Sequence, residues 1–332
     1  MSECKDVLIY GELGKDGLSA ITRELLGAGR KTADDLGESL CLLFLGNGLE
    51  KAAKDAIACG ADKVYVVDEL GLAEYNSDIY VDIVTKVCQQ LLPGVFLLGQ
   101  TDAGREIAPR IAARLNTALT TDCVALRVDP ATRLLIRTRP VYGGNALADM
   151  VSASRPQMVT IRAKSVAPAM PDETRQGKIL PLKVDIDSSV AKARLVKRIP
   201  EEVPGQKLEE AEVIVCGGAG IGGAEGFAQL RELAGILKGT VGATRVPCHE
   251  GWVPLHLTIG QTGKVVSPEL FISVGASGAV QHLAGCLGSK WIVTINKDPE
   301  ANIFRVSNFG IVADFKEALP TFIEECRKLV SK

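Results

Sequence analysis

Short apolar runs alternate with segments of helical periodicity through the first half of the chain. The clearest run, at residues 40–45, has six consecutive apolar residues and is followed by Gly46. A continuous run of this kind is typical of a strand that is buried on both faces of a parallel sheet. The alternation of such strands with helices therefore predicts the α/β fold class, with a doubly wound parallel sheet.

The chain is long enough for two domains, because 332 residues exceed the usual size of one. An N-terminal α/β domain is predicted over residues 1–165. Its strands are predicted at 7–10, 40–45, 63–67 and 95–98, and its helices at 19–36, 51–59, 78–92 and 105–115. Three further strands at 123–128, 134–138 and 158–162 have no helical pattern between them, which predicts an antiparallel extension.

A proline-rich connector is predicted at residues 166–207, which carry five prolines and one predicted strand near 182–186. A second α/β pattern follows over residues 208–332. Its strands are predicted at 213–216, 239–243, 270–274, 291–295 and 311–313, and its helices at 225–237 and 315–330. This C-terminal domain is predicted to be Rossmann-like.

Composition excludes several classes of function. The 38 basic and 40 acidic residues give a net charge of −2, so we expect no nucleic-acid partner. No apolar run is long enough for a membrane span. The nine cysteines contain no C-x-x-C pair, which argues against a zinc or iron–sulfur site, and no metal is expected. Scattered thiols, and a first strand that starts near residue 7, favour a reduced protein in the cytoplasm.

A glycine-rich segment at residues 218–223, GAGIGG, fits the pattern G-x-G-x-x-G. It follows a predicted strand and opens a predicted helix, where the backbone can approach a diphosphate and receive it on free N–H groups. A glycine-rich turn without a ligand is the alternative. An NAD site also needs an acidic residue after the next strand, but that strand runs into Thr244 and Arg245. Arg245 leaves an NADP site open, and a flavin nucleotide also remains open.

Two further segments place hydrogen-bonding residues near predicted strand ends. Residues 258–264, TIGQTGK, supply donors, an amide and a hydroxyl that suit the edge of a heteroaromatic ring, although a hairpin turn also explains them. In residues 274–282, VGASGAVQH, Ser277 is predicted to cap a helix. Gln281 and His282 then lie near the helix start, which favours an anion, although a single histidine there is more often a surface residue.

Polar residues also follow the last two predicted strands. One strand runs into residues 295–299, INKDP, and Asp314 lies between the last strand and the last helix, which it could simply cap. In a parallel sheet the carboxyl ends of the strands meet at one edge, where ligands bind. Small and hydrogen-bonding residues at several strand ends of one domain therefore predict a cofactor crevice.

Several of these segments closely resemble the α subunit of electron transfer flavoprotein. They are residues 241–245 (VGATR), 251–254 (GWVP), 259–264 (IGQTGK), 275–285 (GASGAVQHLAG) and 295–300 (INKDPE). The resemblance extends over residues 210–330, and the N-terminal half is similar to the same family at 104–110 (GREIAPR) and 121–123 (TDC). It implies a heterodimer with a β subunit and FAD held mainly by the C-terminal domain.

The resemblance further implies an electron carrier and not a stand-alone enzyme. Electrons would come from flavin dehydrogenases, such as the acyl-CoA dehydrogenases of fatty acid β-oxidation, and pass to a downstream acceptor. The usual β subunit of the family carries AMP. A flavin-bifurcating complex, with a second FAD in the β subunit and coupling of NADH oxidation to ferredoxin reduction, is an alternative. An NADP-dependent oxidoreductase and a non-redox nucleotide-binding subunit are further alternatives.

The resemblance also assigns residues to FAD and no residue to catalysis. Thr244 and residues 259–262 would contact the flavin, residues 277–282 the flavin and diphosphate, and residues 296, 314 and 315 the adenosine end. Arg245 and His282 would stabilise the negative charge that a flavin gains on reduction. Thr262 would adjust the reduction potential of the same flavin. The implied cofactor-binding residues are Gly218, Gly220, Thr244, Arg245, Ile259, Gly260, Gln261, Thr262, Ser277, Gly278, Ala279, Val280, Gln281, His282, Asn296, Asp314 and Phe315.

The chain departs from the usual family pattern at three positions. Ala219 stands where the family commonly has an arginine, so one charge-assisted bond to the nucleotide is in doubt. Thr244 replaces a serine and keeps the hydroxyl. Phe315 replaces a leucine and could still provide backbone contacts.

Overall fold

The apolar runs of the sequence form the strands of two parallel sheets, one in each of two units of the chain. The computed structural model describes residues 4–14, 17–144, 146–197 and 206–330. The first unit comprises residues 1–141 and 147–199, and the second comprises residues 142–146 and 200–332.

The first unit is a doubly wound parallel sheet with an antiparallel extension. Its strands are β1 Val7–Tyr10, β2 Leu13–Gly14, β3 Gly17–Leu18, β4 Leu40–Gly46, β5 Lys63–Asp68, β6 Val95–Gly99, β7 Leu119–Cys123, β8 Ala125–Val128, β9 Leu135–Val141, β10 Ala146–Met150, β11 Gln157–Ile161 and β12 Lys178–Pro181. Its helices are α1 Ala20–Leu36, α2 Glu50–Ala58, α3 Ser77–Leu91 and α4 Asp102–Arg114. The main sheet has the order β12-β5-β4-β1-β6-β11-β7, and its strands pair in parallel.

The central strand β4 shows why this sheet lies between two layers. All seven of its residues are buried. Leu42 and Phe44 pack into one apolar cluster, whereas Leu43 and Leu45 pack into a second. Because successive side chains of a strand point to opposite faces, β4 has one core on each side of the sheet.

Two predictions for the first unit are wrong in placement. The strand predicted at 158–162 as part of the antiparallel extension is β11, which lies between β6 and β7 in the parallel sheet. The extension itself is the sheet β10-β9-β8, in which β8 and β9 pair antiparallel. The strand predicted at 182–186 lies earlier, as β12, and pairs in parallel with β5. Leu182, Val184 and Ile186 instead pack partly buried against the sheet.

The second unit is a five-stranded parallel sheet of the order β14-β13-β15-β16-β17. Its strands are β13 Val213–Gly217, β14 Thr240–Ala243, β15 Leu270–Val274, β16 Trp291–Asn296 and β17 Phe309–Val312. Its helices are α5 Phe227–Ile236, α6 Arg245–His249, α7 Val280–Leu283 and α8 Phe315–Val330. The chain leaves β13 toward β14 on one side and returns to β15 on the other. In such a sheet the loops after β13 and β15 diverge, and this switch point is where ligands bind.

The described residues carry neither a metal cluster nor a spanning helix. No group of three or more His, Cys, Asp or Glu side chains could hold a metal ion within residues 4–14, 17–144, 146–197 and 206–330. Over the same residues, no helix has the length and apolar character needed to cross a membrane. All nine cysteines are unpaired, and seven of them are buried.

Candidate functional site

A cavity of about 450 Å³ lies at the carboxyl ends of β13, β14, β15 and β16. Four segments that follow these strands line it, together with the loop at residues 258–262. The lining residues are Ala219, Gly220, Thr244, Arg245, Val246, Thr258, Ile259, Gly260, Gln261, Thr262, Gly275, Ser277, Gly278, Ala279, Gln281, His282, Asn296, Asp298 and Ala301. The size is within the range of small-molecule sites, and the position is the switch point of the sheet.

The glycine-rich segment after β13 brings two loops into direct contact. A Cβ atom at Gly218 would lie 2.3 Å from Cα of Ala276, and one at Gly220 would lie 2.8 Å from the carbonyl oxygen of Gly275. The amides of Gly218 and Gly220 donate to the carbonyls of Val274 and Gly275, at 2.8 and 2.9 Å. Glycine is therefore needed here for the close approach of the β13 and β15 loops.

The prediction that this segment opens a helix is wrong. Two 3-10 turns, Ala219–Ile221 and Ala224–Gly226, come before α5, which begins only at Phe227. Because the amides of Gly218 and Gly220 already donate to carbonyl groups, the segment does not present them to an anion as free donors.

The loop after α6 combines a turn with cavity-lining side chains. The amide of Gly260 donates to the carbonyl of Lys264 at 3.1 Å, and the amide of Lys264 donates to the carbonyl of Thr258 at 2.8 Å. The amide of Gln261 donates to the carbonyl of Gln281 at 2.7 Å, which docks the loop on α7. The turn thus holds Gln261 and Thr262 at the cavity. The segment is therefore both a turn and part of the cavity wall, which were the two interpretations of its sequence.

His282 is a buried histidine with one unused nitrogen. Its ring lies 6.1 Å from the ring of Phe271, between centroids, and Nδ1 is 3.0 Å from the carbonyl oxygen of Ile259. A carbonyl can only accept, so Nδ1 carries a proton. Nε2 is buried and has no hydrogen-bond partner among the described residues. An unsatisfied buried polar atom is costly, which points to a ligand atom as its missing partner.

Burial controls the charge of His282. Desolvation lowers the pKa of the His282 imidazole below its ordinary value, and the bond to the Ile259 carbonyl opposes this only in part. The neutral ring, with a lone pair on Nε2, is therefore favoured in the chain without a ligand. The sequence analysis predicted that His282 stabilises the negative charge of a reduced flavin, and the neutral ring can do so only after Nε2 takes up a proton.

Arg245 supplies the positive charge of the cavity. It is the first residue of α6 and follows Thr244, whose amide donates to the carbonyl of Gly217 at 2.9 Å. Both residues line the cavity. Among the described residues, the guanidinium of Arg245 has no carboxylate partner, so its charge is uncompensated.

Asn296 joins the β15 and β16 loops at the other side of the cavity. Its Nδ2 donates to the carbonyl of Ala276 at 2.7 Å, and its Oδ1 accepts from the amide of Asp298 at 3.0 Å. Both ends of the amide are thereby used within the protein. The side chain fixes the position of Asp298, which carries the only carboxylate among the cavity-lining residues.

Four predicted site residues are not part of the cavity wall: Gly218, Val280, Asp314 and Phe315. Asp314 Oδ1 accepts from the amide of Lys316 at 2.9 Å, so it caps α8 as its alternative interpretation predicted. Phe315 packs in the apolar core beside α5 and α8, and Val280 is about half exposed.

Ser277 lines the cavity, but it does not cap a helix. The helix predicted to begin at Ser277 begins three residues later, as α7, with Ala279 before it and no side-chain cap. The Ser277 carbonyl accepts instead from the amide of Ile303 at 3.3 Å. The short sequence Gly-Ala-Ser-Gly is a loop in which Gly275 and Gly278 have positive φ, and no pattern in it fixes where the helix starts.

The cavity brings together thirteen of the predicted residues: Gly220, Thr244, Arg245, Ile259, Gly260, Gln261, Thr262, Ser277, Gly278, Ala279, Gln281, His282 and Asn296. Thr258, Gly275 and Asp298 also line it and belong to segments that the sequence singled out, and so does Ala219. Val246 and Ala301 line it without any preceding signal, because an apolar or small side chain carries no chemical pattern.

Two family models match the chain. One, described as the electron transfer flavoprotein domain, matches residues 7–187. The other, described as the electron transfer flavoprotein FAD-binding domain, matches residues 207–287 and thus includes most of the cavity wall.

Curated relatives align over nearly the whole length of both proteins. The electron transfer flavoprotein subunit alpha of Thermoanaerobacterium thermosaccharolyticum is 42% identical over 330 residues, covering 99% of this chain and 100% of the relative. Protein FixB of Clostridium saccharobutylicum is 37% identical, covering 100% and 99%. The electron transfer flavoprotein subunit alpha of Bacillus subtilis is 38% identical, covering 98% of each.

Proposed function

The chain belongs to the α subunits of the electron transfer flavoprotein family, and from this membership we propose that it carries electrons from flavin dehydrogenases to a downstream acceptor, as one half of a heterodimer. Its cofactor is FAD. The observation that carries the proposal is the cavity at the carboxyl edge of the second sheet. Its unpartnered His282 nitrogen and uncompensated Arg245 charge are what a redox ring that gains negative charge requires.

The cavity suits an elongated dinucleotide. Thr244 and Arg245 follow β14, and Asn296 is the last residue of β16, which lies three strand spacings away in the sheet order, or about 14 Å. Between them lie the glycine contacts of Gly218 and Gly220, where side chains have no room. A flavin at the Arg245 end and a nucleoside at the Asn296 end would therefore span the crevice, with the diphosphate between them.

Bound FAD supplies reversible one-electron and two-electron chemistry. The residues of the chain would change the stability of the reduced cofactor through their charges and through the protons that they donate or accept. The Arg245 guanidinium would favour the reduced cofactor, because a positive charge beside the flavin stabilises added negative charge. Nε2 of His282 would take up a proton when negative charge lies beside it, and the Thr262 hydroxyl could donate a hydrogen bond to the bound flavin.

The electron donor that we propose is a flavin dehydrogenase such as an acyl-CoA dehydrogenase, and the partner subunit is the β subunit of the family. The carrier role needs one FAD in the complex, together with AMP in the β subunit. Two FAD per heterodimer would instead support the bifurcating alternative. The unpaired, mostly buried cysteines are consistent with a reducing compartment, and we propose the cytoplasm.

Co-purification with the β subunit tests the proposal. We expect a yellow heterodimer whose bound FAD is reduced when an acyl-CoA dehydrogenase and its substrate are added. Reduction by NADPH alone would favour the NADP-dependent oxidoreductase. A complex that binds FAD but takes electrons from no dehydrogenase would contradict the carrier role while leaving the cofactor assignment intact.

A further inference from the structure

Arg245 makes its one side-chain hydrogen bond, among the described residues, to a histidine one turn along the same helix. Nε of Arg245 donates to Nε2 of His249 at 3.3 Å across the exposed side of α6. Arg245 lines the cavity, whereas His249 does not. The hydrogen bond therefore connects the cation that lines the cavity, Arg245, with His249 outside the cavity.

We propose that His249 is a positioning residue that holds the Arg245 guanidinium in place for the bound cofactor. A long, exposed arginine side chain has many rotamers, and fixing it in one of them costs conformational free energy. The bond at Nε restricts the side chain but leaves both terminal nitrogens free to face the cavity. This inference rests on the proposed electron-carrier function, because it assigns His249 a role through Arg245.

The contact can exist in only one charge state of the histidine. Nε2 accepts a hydrogen bond only when the ring is neutral, with its proton on Nδ1. Protonation makes Nε2 a donor and places two positive charges side by side.

The test is a double-mutant cycle in the FAD-loaded heterodimer, with the first reduction potential as the readout. Arg245→Ala should lower the potential, because a positive charge is lost. His249→Ala should shift it in the same direction by a smaller amount. In the Arg245→Ala background, His249→Ala should cause no further shift. An equal shift in both backgrounds would overturn the inference, because His249 would then act independently of Arg245.

A conservative variant distinguishes a positioning role of His249 from a general contribution to the fold. His249→Gln keeps a hydrogen-bond acceptor at this position, so its potential should lie closer to that of the wild type than the potential of His249→Ala does. The NMR signal of the Arg245 Nε–H should be protected from exchange in the wild type and in His249→Gln, and this protection should be lost in His249→Ala.

The two proposals fail in distinguishable ways. If Arg245→Ala leaves the potential unchanged, the tuning role of Arg245 in the proposed function is wrong. If Arg245→Ala lowers the potential but His249→Ala leaves both the potential and the NMR signal unchanged, only the positioning role of His249 is wrong.

Discussion

At the scale of single residues, burial decides the chemistry of His282 more than its neighbours in sequence do. Its pKa lies below the ordinary value because the ring is desolvated. The folded chain without FAD therefore binds a proton less readily than the unfolded chain does. Stability from this group is present above about pH 6.5 and is lost as the pH falls below it, because the unfolded state then takes up the proton.

Replacing His282 should remove that pH dependence. In His282→Gln, the free energy of unfolding of the FAD-free chain should fall less between pH 7 and pH 5 than it does in the wild type. Urea unfolding at the two pH values measures the difference. The same loss in both proteins would show that His282 is not the residue whose proton uptake destabilises the fold.

A second buried ionisable residue, Glu24, lies in the first unit. It is on α1, only 6% exposed, and its Oε2 accepts from the amide of Lys164 at 2.7 Å. Burial raises the pKa of the Glu24 carboxyl to about 7, and the Lys164 amide opposes this shift only in part. The folded protein thus retains a proton between about pH 4.5 and pH 7, and ionisation above that range costs stability.

Glu24→Gln should therefore stabilise the protein at pH 8 by about 1–2 kcal/mol, after allowance for solvent screening, and should have almost no effect near pH 4.5. The amide oxygen of glutamine can still accept from Lys164. Asp35→Asn, on the exposed side of the same helix, is the control for loss of a negative charge. A gain in stability that is equal at the two pH values would contradict the assignment.

At the scale of elements, the loop at residues 258–264 depends on one glycine. Gly260 has φ of +147°, and a Cβ atom there would lie 2.8 Å from the carbonyl oxygen of Gln281. Gly260→Ala should push the loop away from α7 and weaken FAD binding by about 5- to 150-fold, because a strained backbone and a lost contact together cost about 1–3 kcal/mol.

The matched control for that variant is Gly223→Ala. Gly223 is the last glycine of the G-x-G-x-x-G segment, and a Cβ atom there would meet no other atom within 4 Å. Titration of both FAD-free heterodimers with FAD gives the two affinities. Equal affinities would contradict the role of the loop, and weak binding in Gly223→Ala alone would restore the nucleotide-fingerprint interpretation of the glycine segment.

Local sequence predicts elements whose pattern is long, and it fails where neighbours in space decide. The run at residues 40–45 is a strand because it is apolar throughout, and α1 begins after Ser19, whose hydroxyl accepts from the amide of Thr22. The place of β11 between β6 and β7 depends on pairing with distant strands, which no local pattern encodes. The helices α6 and α7 are only five and four residues long, too short to show a helical period.

For the candidate site too, local sequence predicted some features, and others depend on neighbours in space. Polar and glycine-rich segments at strand ends were visible in the sequence, and parallel topology brings them to one edge. The neutral state favoured for His282 could not be predicted, because desolvation depends on packing against Phe271 and the loop that carries Ile259. The bond from Arg245 to His249 is compatible with their spacing of four residues, but spacing alone does not identify the partner.

At the scale of the whole molecule, FAD and folding are linked by mass action. A cofactor that binds only the folded protein stabilises it by about 2.7 kcal/mol when its free concentration is 100 times Kd. The melting temperature of the FAD-free heterodimer should therefore rise with added FAD and should rise less in Gly260→Ala. A melting temperature that does not depend on FAD would contradict binding to the folded complex.

The cavity of the second unit is the feature on which the account depends, and counting bound flavins tests it most directly. Wild-type and Gly260→Ala heterodimers, both shown to be folded by circular dichroism, are incubated with FAD at a free concentration near the wild-type Kd, freed of excess ligand and assayed for flavin per complex. The account predicts that the variant retains less FAD than the wild type, because its affinity for FAD is lower. The same flavin count in both complexes, or a wild-type complex that retains no flavin, would contradict it.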